Sequence, residues 1–112
     1  YPLILAKIPV KNPWEIFAYL PFGNRNECPG TEDLMAVAKY WFEQYSAVPG
    51  AMSHDELEFN LPAPVAEDRA MDVAVEQYGF CPDVIDQGPE DATVGTLADV
   101  LQQSTVWYFW WD

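Results

Sequence analysis

The run Val106-Trp-Tyr-Phe-Trp-Trp111 near the C-terminal end constrains the fold more than any other stretch of this chain. Aromatic and β-branched side chains suit the pleated surface of a sheet, so the run reads as a β-strand. Alternate residues of a strand face opposite ways. A strand with one face in water should therefore alternate apolar with polar. This one is apolar on both faces, and both faces need cover. Helices of the same domain or the N-terminal arm would supply it, or else a missing domain or a partner would.

The remaining pattern is that of a mixed α and β domain. Pro2, Pro9 and Pro13 predict that residues 1–13 are an extended arm or linker, expected to lead from a missing N-terminal region. Residues 14–21 are aromatic and β-branched and are followed by Gly23, which predicts a first strand. Thr31 reads as an N-cap, and Leu34, Val37, Ala38, Trp41 and Tyr45 fall on one face of a helix that ends near Ser46. A hairpin is expected over 48–53 and 56–61, turning at His54 and Asp55, with Leu57, Phe59 and Leu61 on its buried face. A second helix is expected over about 65–78, burying Met71, Ala74, Val75 and Tyr78, with Gly79 just past its end. A loop over 80–92 and a short helix over about 93–102 lead into the last strand. The order fits an α+β domain over 14–112 with a ferredoxin-like, split βαβ arrangement. Its four-stranded, mainly antiparallel sheet would carry helices on one face, with the extra short helix before the last strand.

Charge narrows the functional classes. Eighteen acids against five bases give a net charge of −13, and no Lys or Arg follows Arg69. Nucleic acid is excluded as a partner because phosphates would be repelled, and an anionic membrane surface is disfavoured for the same reason. No apolar run is long enough to span a bilayer. The chain is too apolar and aromatic for disorder. Two cysteines and no signal peptide point to a reducing cytoplasm.

Three strings carry a family resemblance. They are Trp14-Glu-Ile-Phe-Ala-Tyr-Leu-Pro-Phe-Gly23 with Asn26-Glu27-Cys28-Pro29, Tyr78-Gly-Phe-Cys-Pro-Asp83 with Asp86-Gln87-Gly88, and Trp107-Tyr-Phe-Trp-Trp-Asp112. Together they resemble the bacterial family known as domain of unknown function 4253 over residues 14–112, with Arg25 standing where the family pattern suggests an aromatic residue. The resemblance implies a domain at the C-terminal end of a longer protein. It implies no activity and no catalytic residue.

The split βαβ topology would gather Asn26, Glu27, Cys28, His54, Cys81, Asp83, Asp86 and Gln87 at one end of the sheet. Thiolate, imidazole and carboxylate suit zinc, although Cys28, His54 and Cys81 lack the close pairing of a zinc motif. A Cys–His nucleophile pair, a Cys28–Cys81 disulfide and two buried thiols are the competing readings. Asp83 and Asp86, three residues apart, suit either a hard cation or turn and capping roles. No phosphate loop or hydrolase signature is present. The aromatic residues Trp107, Trp110 and Trp111 are candidates for an interface.

The reading that follows is a non-catalytic, acidic interaction or regulatory module with no cofactor. An aromatic patch would give affinity and the acidic half would select the partner. That partner would be a basic protein, such as a nuclease toxin, or the chain's own N-terminal region. The alternative is a metal-binding or hydrolytic domain centred on Cys28, His54 and Cys81.

Overall fold

A computed structural model describes residues 10–20, 29–53 and 55–111. The first departure from expectation comes at once. Pro13–Ala18 forms a 3-10 helix, where residues 14–21 were expected to be a strand. Asn12 precedes it in extended conformation, Pro13 takes its first position, and Asn12 Nδ2 donates to Glu15 Oε2 at 2.7 Å. Proline favours a helix start because its fixed φ suits that position and its missing N–H would be unbonded there anyway. The segment then buries Phe17 and packs Trp14 and Ile16 against the core. Burial of three apolar groups in a helical turn outweighs their strand propensity, which is a weak backbone preference.

Helix α1 spans Thr31–Tyr45 and follows the expected face. Leu34, Ala38 and Trp41 are buried, and Val37 and Tyr45 pack beside them. The N-cap is Gly30, one residue before Thr31. Ser46 closes the helix in the left-handed region at φ 58°. The hairpin follows as β1, Val48–Met52, and β2, Glu56–Asn60. A bulge at Gly50 breaks the register of β1, and a Cβ there would meet the end of the exposed Asn60 side chain, which would have to swing aside.

Three helices then return the chain to the sheet: α2, Glu67–Phe80; α3, the single turn Asp83–Asp86; and α4, Val94–Leu101. Helix α2 is rotated from the expected phase. It buries Ala70, Val73, Ala74, Gln77 and Phe80, while Met71, Val75 and Tyr78 are exposed. Two apolar stripes compete on this helix. The inward one is mostly small, and Phe80 at its end fills the space beside Trp41 and Phe109, with ring centroids at 5.1 Å in both cases. Gly79 lies inside the helix, which closes through Cys81 N–H to Gln77 O. Helix α4 opens with a reciprocal capping box between Thr93 and Thr96.

Strand β3, Val106–Trp110, pairs antiparallel with β2, so the sheet is β1-β2-β3 with β2 in the centre. The four-stranded, split βαβ arrangement is therefore incorrect. Among the described residues the sheet has three strands, and five helical segments accompany it. The missing first strand is the stretch that became the 3-10 helix.

The core lies between the helices and one face of this sheet. Trp41 is its hub. The indole stacks on Phe109, with centroids 5.5 Å apart and planes 9° apart, and meets Phe59, Phe80 and Trp107 edge-on. These offset and T-shaped contacts match the positive ring edge of one aromatic to the negative face of another. Trp41 Nε1 donates to Glu76 Oε1 at 3.1 Å, and Tyr40 Oη donates to Glu76 Oε2, which ties α1 to α2.

Candidate interaction face

The alternation of β3 is resolved by its burial. Trp107, Phe109 and Trp111 point into the core and are at most 2% exposed. Val106 and Tyr108 point the other way, at 42% and 43% exposure, with half-buried Trp110 beside them. Trp107 and Trp111, expected at an interface, are thus core residues, and Trp110 alone of the three tryptophans lies on the outer face.

The register builds that outer face residue by residue. Glu56 sits opposite Trp110, Glu58 opposite Tyr108, and Asn60 opposite Val106. From β1, Ala51 and Val48 extend the Glu58 and Asn60 rows. The Tyr108 and Trp110 rings stack at 5.4 Å with planes 23° apart. Tyr108 Oη donates to Glu56 Oε2, and Ser53 Oγ donates to the other Glu56 oxygen at 3.0 Å. The hydrogen bond to Glu56, with desolvation and the charges of Asp55 and Glu58 added, pushes the Tyr108 phenol up to about 12. No strand of the sheet contains a Lys, Arg or His. The face is therefore aromatic in the middle and negative at its flank.

The edges of the sheet differ from its face. Leu61 N–H bonds Thr105 O and Trp111 N–H bonds Asp55 O, so alternate residues from 105 to 111 direct their backbone groups toward β2. Val106, Tyr108 and Trp110 direct theirs outward. Ser104 Oγ donates to Val106 O at 2.8 Å and accepts from Val106 N–H at 3.1 Å. Cys81 Sγ donates to Trp110 O at 3.0 Å. Side chains thus plug the β3 edge at both ends. Pro49 and the bulge blunt the β1 edge.

The sulfur-centred cluster fares differently. Asn26, Glu27, Cys28 and His54 lie outside the described residues. Cys81, Asp83, Asp86 and Gln87 are brought together at the corner between α2 and α3. Cys81 is a free, fully buried thiol, so the Cys28–Cys81 disulfide is absent. Burial pushes this thiol up to about 12, which keeps it protonated and makes it a poor nucleophile and a poor metal ligand. Asp83 opens α3, Gln87 caps its end, and Asp86 accepts from Tyr78 Oη at 3.1 Å. Among the described residues, no three His, Cys, Asp or Glu side chains converge to hold a metal ion.

A shallow groove of about 280 Å³ lies between the end of α1 and the start of α2, lined by Tyr45, Pro62, Pro64 and Arg69 among others. Arg69 occupies its wall, donating from Nη2 to Tyr45 Oη at 2.9 Å and seating its guanidinium 5.4 Å from the Tyr45 ring centroid. No sequence pattern signals this pairing, because Tyr45 and Arg69 lie far apart along the chain and meet only once it is folded.

Among the described residues, no helix is long and apolar enough to cross a membrane. Neither a curated protein nor a solved structure matches the chain. A family model does match, over residues 4–112, and the chain belongs to that family, described as Domain of unknown function (DUF4253).

Proposed function

We propose that this domain is a non-catalytic, acidic protein-interaction or regulatory module and that it binds through the outer face of its sheet. One observation carries the reading: Val106, Tyr108 and Trp110 stand exposed or half-exposed on a sheet face flanked by Glu56 and Glu58. Aromatic side chains provide contact area at low entropic cost and are enriched among interface anchors. The surrounding negative field, part of a net charge of −13, steers basic partners and repels acidic ones. A cytoplasmic setting fits the free thiol of Cys81.

The test is co-isolation of partners with the wild-type domain and with a Tyr108→Ser/Trp110→Ser variant. Both side chains lie on the outer face, so the variant keeps the core. A basic protein that is retained by the wild type, released by salt and lost from the variant supports the reading. Retention of the same proteins by both refutes it.

A further inference from the structure

The chain contains its own example of how it holds a cation. Arg69 lies over the Tyr45 ring at 5.4 Å, and its Nε is 3.9 Å from Asp72 Oδ2. Lys39 Nζ likewise lies 5.8 Å from the centre of the Trp14 ring. Thus two of the described bases rest on aromatic faces, and one of them is flanked by a carboxylate as well. Ring quadrupole and carboxylate act in the same direction on a cation.

The outer sheet face repeats the components of the Arg69 seat on a larger scale. Tyr108 and Trp110 stack into one aromatic platform. Glu58 lies directly across from Tyr108, and Glu56 lies across from Trp110. Opposite residues in an antiparallel pair have Cβ atoms roughly 5 Å apart, so these carboxylates border the rings. Glu56 is engaged by Tyr108 and Ser53, which fixes the phenol, whereas Glu58 has no hydrogen bond or ion pair to another described side chain. We infer that this platform is a seat for a guanidinium group, and that the module's partner is a basic polypeptide that presents an arginine side chain to Tyr108, Trp110 and Glu58. This inference rests on the interaction reading above and specifies its chemistry.

Two observations decide the mode of docking. Strand addition at β3 is disfavoured, since Ser104 and Cys81 occupy the outward backbone groups of Val106 and the Trp110 carbonyl and leave only the middle of the edge open. A second copy of the chain is disfavoured as occupant by charge, because each copy carries −13 and its own sheet face offers no base to the other. The partner therefore lies across the face and is held by side chains. Arginine suits the seat better than lysine because a planar guanidinium stacks on rings while it donates to a carboxylate.

The experiment titrates the domain with a short peptide of alternating glycine and arginine, and with the same peptide carrying citrulline for arginine. Citrulline keeps the planar shape and removes the charge. Binding is followed by shifts of the backbone amide resonances of Tyr108, Trp110 and Glu58. The arginine peptide should shift all three and the citrulline peptide none. Tyr108→Ala and Glu58→Gln should each weaken binding by about two- to fivefold, the range for an exposed cation–π or ion-pair contact. Met71→Ala, at an exposed position on α2 outside the platform, should bind like wild type and serves as the folded control. Equal binding of both peptides, or shifts confined to the Tyr45–Arg69 groove, would overturn the inference. Peptide binding at the seat in a domain that captures no basic protein would uphold the seat and refute the module's proposed role.

Discussion

Trp41→Phe tests the packing account at its centre. The substitution keeps an aromatic ring against Phe59, Phe80, Trp107 and Phe109 but removes the indole N–H that bonds Glu76. Deleting an entire buried Trp or Phe side chain costs about 3–5 kcal/mol, and deleting a single methyl about 0.5–1.5 kcal/mol. Trimming the indole to a phenyl falls between, at about 1.5–2 kcal/mol. The lost hydrogen bond adds about 1 kcal/mol, the value of an ordinary hydrogen bond and below that for a buried charged acceptor, because Glu76 is half-exposed and keeps its bond from Tyr40. The sum is about 2.5–3 kcal/mol. A chain of 112 residues has a total stability of roughly 6–17 kcal/mol, so the variant should fold and its melting temperature should fall by roughly 10–15 °C. Urea unfolding followed by circular dichroism reads the same quantity without relying on tryptophan emission. Trp14→Phe, at a half-buried site beside Phe42, should cost under about 1 kcal/mol. A Trp41→Phe cost below about 0.5 kcal/mol would refute the assignment of Trp41 as the hub.

Three further outcomes follow from other parts of the structure. Thr93→Ala removes one half of the α4 capping box and should destabilise the domain by about 1 kcal/mol in thermal or urea unfolding. In a Cys28→Ser variant, Cys81 should resist a thiol reagent until the protein unfolds, because burial holds the thiol at about 12; rapid native reaction would contradict this. Tyr108 is also held at about 12, above its ordinary value of 10, so the folded state keeps a proton that the unfolded state gives up. That contribution is complete below pH 10 and is lost as pH rises to 12, so wild type should lose stability over this window more steeply than Tyr108→Phe.

Much of the architecture was legible because periodicity reports burial directly. Leu34, Ala38 and Trp41 recur at helical spacing, Leu57 and Phe59 at strand spacing, and each set occupies the predicted face. The fold departs from the pattern at two places where local signals conflict. At residues 14–18 aromatic composition argued for a strand, while Asn12, Pro13 and Glu15 formed a helix-start signal. On α2 the larger apolar stripe, Met71, Val75 and Tyr78, looked like the core face, but the smaller stripe is the one that fits against α4 and the sheet. Length and hydropathy cannot rank two such stripes, since close packing favours small residues. The site followed the same logic. A doubly apolar β3 indicated a face in need of cover. Which tryptophans belonged to that face depended on register, and only Trp110 did. The Cys81 cluster depended on a split βαβ topology and lost its basis when the first strand proved helical.

The central claim is that the outer face of β3 is the binding surface. Hydroxyl-radical footprinting of the domain, alone and with its co-isolated basic partner, tests it directly. Exposed Met71 and Val75 on α2 provide an internal comparison, as apolar groups on a different surface. The account predicts that oxidation of Tyr108 and Trp110 falls on complex formation while that of Met71 and Val75 does not change. Protection of Met71 and Val75 with Tyr108 and Trp110 left fully reactive would contradict it.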